Sequence, residues 1–230
     1  METSLHRQLK ERYAAGGLVE VRRSGFRCDA VDPNGRVVEV QSGALAPLRG
    51  KLGKLLPDGP VVVVKPVVLA RRVVRKARRD GPEVSGRFSP WRGAMVDVFD
   101  DLIGLARVFP HPNLTVDVLG VEIDEVRVTR RRWPGYKVVD RVLREVLQTV
   151  RLREPADLWA LVPDGERLES RFTTRELAEH LSKPAHFAQR VAYCLRHTGA
   201  AGVVGKIGNF RVYERGEGAV AVPAADEAVS

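Results

Sequence analysis

Three acids stand in a stretch whose other residues favour strands. Asp29 lies in "RCDAV" at 27–31, Glu39 in "VVEV" at 37–40, and Gln41 follows two residues after Glu39; Glu20 lies in "LVEVRR" at 18–23. Acids are poor strand formers, so their presence inside apolar arms needs a reason. Two turns set the register. "DPNG" at 32–35 reads as a type I turn, with Pro33 and Asn34 central and Gly35 in the left-handed position after them. It pairs Val31 with Val37, Ala30 with Val38 and Asp29 with Glu39. "SG" at 24–25 reads as a two-residue turn that pairs Arg22 with Arg27, Val21 with Cys28 and Glu20 with Asp29. This register predicts a row of Glu20, Asp29 and Glu39 across three strands on one face, beside a row of Arg22, Arg27 and Gln41. Val21, Cys28, Ala30, Val38 and Val40 would form a core on the other face.

Like charges directly opposed on a sheet repel. A divalent cation over the row would relieve that repulsion. Mg²⁺ (or Mn²⁺) takes oxygen ligands, commonly one or two carboxylates, and completes its shell with waters and phosphate oxygens. A metal-bound water is a strong nucleophile at neutral pH, and the metal offsets charge on a phosphoryl group. Arg22 and Arg27 would then hold the phosphate of a nucleic acid; the alternative on the same residues is a solvated face on which the acids pair with those arginines.

Elements on both sides must hold these strands. Residues 3–14 predict a helix with Leu5, Leu9 and Tyr13 on one face. Strands are predicted over 18–23, 26–31 and 36–41. A second helix is predicted over 44–56, with Leu45, Leu48, Leu52, Leu55 and Leu56 on one side and Pro57 at its end. A buried strand over 60–68, strand or helix over 71–77, a helix over 94–107 and one or two strands over 114–130 complete a mixed α/β core. Further helices are predicted over 137–150 and 155–161. Thr173 and Glu176 form a capping box for a helix over 173–181, and another helix runs from Pro184 to His197 and ends at Gly199. Short strands over 201–206 and 210–214 follow. Helix, turn, helix and two-stranded ribbon is the winged-helix order.

The opening helix, the meander, "D…ExQ" and the helix "LRGKLGKLL" resemble the PD-(D/E)XK nuclease superfamily over residues 3–70, extending towards 130. The resemblance implies a restriction-endonuclease-like mixed central sheet flanked by helices. It implies metal-binding and catalytic roles for Asp29 and Glu39, with Glu20 or Glu11 as the additional acid, and Mg²⁺ or Mn²⁺ as cofactor. Gln41 departs from the superfamily's usual lysine: an amide can hydrogen-bond but carries no charge. Lys51 or Lys54 on the following helix can take the lysine's place, or can belong to a solvated helix face. Many members work as dimers, which makes a homodimer an implied partner. The expected layout is a nuclease-like domain over 1–132, a helical linker and winged helix over 133–215, and a frayed tail over 216–230.

The charge points the same way. The chain has 230 residues, 38 Lys and Arg against 29 acids, and a net charge of +9, a balance that favours a polyanion such as DNA. Arg71, Arg72, Arg75 and Lys76 lie in "RRVVRKARR" at 71–79, Arg92 in "RFSPWRG" at 87–93, and a further cluster in "RVTRRRW" at 127–133. Lys183, His186, Gln189 and Arg190 are the outward residues of the candidate recognition helix, with Lys206 and Arg211 on the wing. Two cysteines, Cys28 and Cys194, are too few for a disulfide framework and fit a reducing cytoplasm. "VVVVKPVVLA" is too short and too β-branched for a membrane span, so no membrane partner is expected.

Overall fold

The structure, a computed structural model, describes residues 2–79 and 81–216. Two runs rich in β-branched residues build its middle. β4 (Val61–Lys76) and β6 (Leu114–Thr129) are each 16 residues long and lie parallel from Val61↔Leu114 to Lys76↔Val128. The first seven residues of β4 are buried. A strand buried on both faces requires a layer on each side. On one face Val62, Val64, Leu119, Val121 and Ile123 pack on Leu5 and Leu9 of α1 (Ser4–Ala14). On the other, Val61, Val63, Leu114, Val116 and Val118 pack on Leu52 and Leu55 of α2 (Arg49–Leu55) and on Phe99 and Leu102 of α3 (Phe99–Leu102).

The result is a mixed α/β architecture around a seven-stranded sheet. β1 (Leu18–Arg23), β2 (Phe26–Val31) and β3 (Val37–Val40) form an antiparallel meander. β3 lies parallel to β4, and α2 makes the crossover between them. β5 (Glu83–Phe88) pairs with the far half of β4, and β7 (Tyr136–Leu152) runs antiparallel to β6 along its length. α1 is fixed across the edge at β7. Its Ser4 N–H donates to Asp140 at 2.8 Å, and its Gln8 accepts the Leu143 N–H at 2.8 Å, which covers part of a free strand edge.

Three expectations change. The segments 60–68 and 71–77 are one strand, β4. The helix over 94–107 contracts to a 3-10 turn at Met95–Val98 followed by the single turn of α3. The helix over 137–150 is strand β7. Register shifts at Gly120/Val121, Glu122/Ile123 and Val126/Arg127 each place an extra β7 residue against β6. A bulge adds one residue and shifts the alternation, so Leu143 and Val146 share the α1 face at a spacing of three while Val150 packs on the α2 side, and the strand's period of two is lost from the sequence. The domain boundary expected at 132 therefore falls inside the β6–β7 hairpin.

Residues beyond β7 form a second layer on the α2 face. A 3-10 segment, Pro155–Leu161, leads to β8 (Arg171–Thr173), α4 (Thr174–Leu181), α5 (Ala185–Thr198), β9 (Ala201–Ile207) and β10 (Phe210–Arg215). The three strands form a small sheet in the order β8-β10-β9. The Thr173–Glu176 capping box is present, and α5 ends on Gly199 in the left-handed conformation. Phe172, Leu177, Val191 and Leu195 share one core cluster with Phe99 and Leu102. The tail beyond residue 216 lies outside the described residues.

A continuous core predicts one cooperative unfolding transition. Phe172 is fully buried, edge-on to Trp159 with ring centroids 5.8 Å apart and stacked on Tyr213. Phe172→Ala is expected to cost about 3–5 kcal/mol. Urea unfolding should show the loss equally by circular dichroism and by tryptophan fluorescence, and two separated transitions would refute the shared core.

Candidate functional site

β2 and β3 pair at Val31↔Val37 and Ala30↔Val38, and part after that. A continued antiparallel ladder would bring the Val40 N–H to the carbonyl of Cys28. That N–H instead donates to Asp29 Oδ2 at 2.8 Å. A side chain has replaced the strand. The disturbance is visible on either side of it. Cys28 packs in the α2-side core and Ala30 in the α1-side core, although residues two apart on a regular strand share a face. Glu20, level with Asp29 on β1, has φ 58°, a left-handed conformation that costs a residue with a side chain about 1–2 kcal/mol.

Asp29 is the pivot. His6 Nε2 of α1 lies 3.3 Å from its Oδ1. Burial pushes the Asp29 carboxyl up, but the His6 contact, the Val40 N–H and the nearby Lys51 charge outweigh it and hold it below the usual carboxylate range. The same contact raises His6 against the opposing effect of burial. Glu39 lies beside this pair and is 4% exposed. Lys51 Nζ of α2 is 2.6 Å from Glu39 Oε1 and donates to the Arg27 carbonyl at 2.5 Å. The ammonium is therefore shared between the Glu39 carboxylate and a main-chain carbonyl. Burial, helped by the Asp29 charge, raises the Glu39 carboxyl despite Lys51.

The expected row of three acids on one face is not formed. Glu39 alternates with Val38 and Val40, which pack on the α1 side, so its side chain lies on the α2 side with Lys51. The carboxylate of Glu20 is held at the rim by Lys10 of α1 and by Arg27, and the Lys10 hydrogen bond leads in lowering its pKa. Glu20 shares the cleft with Asp29, whereas Glu39 does not line it and is linked to Asp29 by charge, the Asp29 carboxylate helping to raise the Glu39 carboxyl. Val21 and Cys28 join the α2-side core and Ala30, Val38 and Val40 the α1-side core, where one face had been expected. Arg22 is exposed. Gln41 lines the cleft, but its Nε2 donates to the Ala44 carbonyl at 2.8 Å. Glu11 and Lys54 are exposed.

An open cleft of about 470 Å³ lies over Asp29, bounded by His6, Glu20, Arg27 and the 41–43 turn. Lys65, 2% exposed, fixes that turn: its Nζ donates to the Gly43 carbonyl at 2.6 Å and pairs with Asp101 at 2.7 Å. His6, Lys10 and Lys65 were not singled out in the sequence. Glu2, His6 and Lys10 recur at intervals of four, the spacing of one helix face, and that was the available signal. Lys65 had none beyond its place in an apolar run. Among the described residues no group of three or more His, Cys, Asp or Glu is placed to hold a metal ion. Asp29 and Glu39 are oxygen donors of the kind Mg²⁺ takes together with waters and phosphate oxygens, and each already has a protein cation beside it.

The cations divide into engaged and exposed. Arg71 pairs with Glu125 and lies over the Trp91 ring, and Arg72 pairs with Glu83 and Asp124. Arg75 is exposed and Lys76 half-buried. Arg92 donates to the carbonyls of Ser89 and Trp91. On the C-terminal unit Lys183 pairs with Asp97 and Arg190 with Asp100, both beside or within α3. His186 and Gln189 are exposed on α5, and Lys206 and Arg211 face each other on the exposed β9–β10 hairpin. No helix among the described residues is long and apolar enough to cross a membrane.

Residues 3–153 match the model of a family described as a domain of unknown function, DUF8091. The match ends where β7 ends. The chain is 32% identical over 220 residues to an uncharacterized protein of Treponema pallidum (strain Nichols), covering 93% of this chain and 85% of that one. No solved structure matches.

The His6–Asp29 contact carries a pH signature. His6 has a folded pKa above its ordinary 6.5, so its contribution is full below that pH and lost as pH rises through the raised value. Asp29 has a folded pKa below its ordinary 3.8, so its contribution is present above that pH and lost as pH falls through the lowered value. The pair therefore stabilises most between these ordinary values. Urea unfolding from about pH 6 to pH 8 should show wild-type stability falling relative to His6→Asn. Parallel curves for the two proteins would refute the contact.

Proposed function

The chain belongs to the DUF8091 family, and we propose that it is a metal-dependent phosphodiester hydrolase acting on nucleic acid, of the PD-(D/E)XK nuclease kind. The observation that carries this reading is the ammonium of Lys51 beside Glu39, at the place where β3 parts from Asp29 on β2. Gln41 stands where that superfamily usually has lysine, and Lys51 returns the missing charge from α2. The order α1, β1, β2, β3, α2, β4 supports the same reading.

Asp29 and Glu39 would hold Mg²⁺ or Mn²⁺. Such a cation makes bound water nucleophilic and offsets phosphate charge. The chain's own part is positioning. The Val40 N–H and His6 fix the orientation of Asp29, and burial fixes Glu39. Lys51 stabilises negative charge as it develops on the phosphate oxygens. The turn held by Lys65 forms one wall of the cleft. Beyond the core, β8–α4–α5–β9–β10 follows winged-helix order. With Lys183 and Arg190 engaged on α3, its contacts to a duplex would come from His186, Gln189, Lys206 and Arg211. The two free, buried cysteines fit a reducing cytoplasm.

A second reading, a nuclease-fold nucleic-acid-binding protein without activity, draws on the protein cations that already sit on each acid and on the committed amide of Gln41. Two measurements separate them. Mn²⁺ titration by calorimetry should give carboxylate-dependent binding that Asp29→Asn removes. Cleavage of labelled DNA should need Mg²⁺ or Mn²⁺, vanish in Asp29→Asn and fall about 10²–10³-fold in Lys51→Ala, with DNA affinity retained in both. Wild-type protein that binds DNA but neither binds Mn²⁺ nor cuts establishes the second reading.

A further inference from the structure

The far ends of the long strands carry a feature outside the cleft. β4 and β6 stay paired to Lys76↔Val128, β5 returns along β4 from Lys76↔Glu83, and β7 returns along β6 from Thr129↔Tyr136. Two hairpin turns therefore stand side by side at one end of the sheet. Residues 127–137 contain no acid, and the β4–β5 connection follows six cations at 71–79 with Asp80 and Glu83. Arg75, Arg78, Arg130, Arg131 and Arg132 are all exposed there. Trp133, at the tip of the β6–β7 turn, is 91% exposed. The turn that presents it is closed: the Arg130 N–H donates to the Gly135 carbonyl at 3.0 Å and the Gly135 N–H to the Arg132 carbonyl at 2.8 Å. The Arg130 guanidinium also donates to the Trp133 carbonyl at 3.0 Å. The indole is held outward by an ordered backbone.

We propose that the paired hairpin tips form a binding site for single-stranded nucleic acid, in which Trp133 stacks on an unpaired base and the surrounding arginines contact phosphates. Cationic contacts alone would serve any polyanion. An exposed indole set among arginines adds what an unpaired base offers and a closed duplex does not, an aromatic face. An anionic membrane would also attract the charge, but interfacial insertion draws on a broader apolar face, and Trp133 is the one large apolar side chain in the 130–135 turn. The site lies beyond the cleft and does not depend on whether the cleft cuts.

The test is fluorescence anisotropy of the full chain with a labelled thymidine 20-mer and with a duplex of equal length. Trp133→Ala should weaken binding to the single strand about 5- to 100-fold, given the stacking energy of one base, and change duplex binding less than about twofold. Trp133→Phe should restore most of the loss. Arg131→Ala with Arg132→Ala should weaken both ligands and flatten the salt dependence by about one to two phosphate contacts. Equal effects of Trp133→Ala on both ligands, or none on either, would overturn the proposal. So would failure to bind either nucleic acid while Trp133 fluorescence shifts on phosphatidylserine vesicles.

Discussion

The parallel pairing of β4 with β6 is the constraint from which the rest of the molecule follows. Parallel neighbours cannot be joined by a tight turn, so α2 and the segment between β4 and β6 must cross over the sheet. Their first halves are buried on both faces and draw α1 to one side and α2, α3 and the C-terminal unit to the other. The strands then run past these layers. From Val68 onward much of β4 is only half-buried, and lateral ion pairs hold the far half together: Arg71 and Arg127 on Glu125, Arg72 on Glu83 and Asp124, Arg144 on Glu122. Glu125 is buried and receives two guanidinium groups. A buried carboxylate stripped of such partners is strongly destabilising, so this far half is a built part of the fold.

At the near end the sheet gives up a hydrogen bond to make a site. Once β2 leaves β3, the Val40 N–H would be orphaned in the interior, a cost of about 1–3 kcal/mol. Asp29 removes that cost. The same displacement turns the chain at Cys28, places Glu20 in a left-handed conformation and leaves Glu39 buried with a raised pKa. These are unfavourable terms gathered within a few residues, and lysines from both flanking helices offset them: Lys10 from α1 on Glu20, Lys51 from α2 on Glu39. A fold selected only for stability would place valine or threonine at Glu39, between Val38 and Val40. Of the carboxylates and His6 gathered here, Glu39 alone has its ionisation disfavoured, while Asp29 and His6 are each held in the charged form by the other, and shifted groups gathered within a few residues are typical of chemical sites.

The sequence made the meander legible because its two turns, "SG" and "DPNG", fix register by local geometry, and the pairings from Arg23↔Phe26 to Val31↔Val37 follow from them. It made α4 and α5 legible through Thr173, Glu176 and Gly199, whose capping chemistry is local as well. It misplaced what depends on tertiary context. The acid row assumed a regular ladder, and no local signal announces that a side chain will replace a strand. β7 read as a helix because three bulges erased its alternation. Lys183 and Arg190 read as outward groups of a recognition helix, whereas the 3-10 turn before α3 supplies Asp97 and α3 supplies Asp100 against them; periodicity marks the face of a helix that is polar but not what that face meets.

The net charge of +9 is not spread over the molecule. Segment 71–79 holds six cations and segment 127–137 five; Arg71, Arg72 and Arg127 of these meet Glu83, Asp124 and Glu125, and Arg75, Arg78, Arg130, Arg131 and Arg132 are exposed. A basicity serving solubility alone has no need to be concentrated at the ends of two adjacent hairpins. With exposed charges screened beyond a Debye length of about 10 Å, a polyanion bound as proposed would meet the tips as a local field. From Val64, paired with the Val40 that bonds Asp29, to Lys76 on β4 is about a dozen strand residues, or roughly 35–40 Å. A single strand held at the tips as proposed would have to run that length of the sheet to reach the cleft. Capture at such a distance would let the acids of the cleft keep their negative charge without turning the polyanion away.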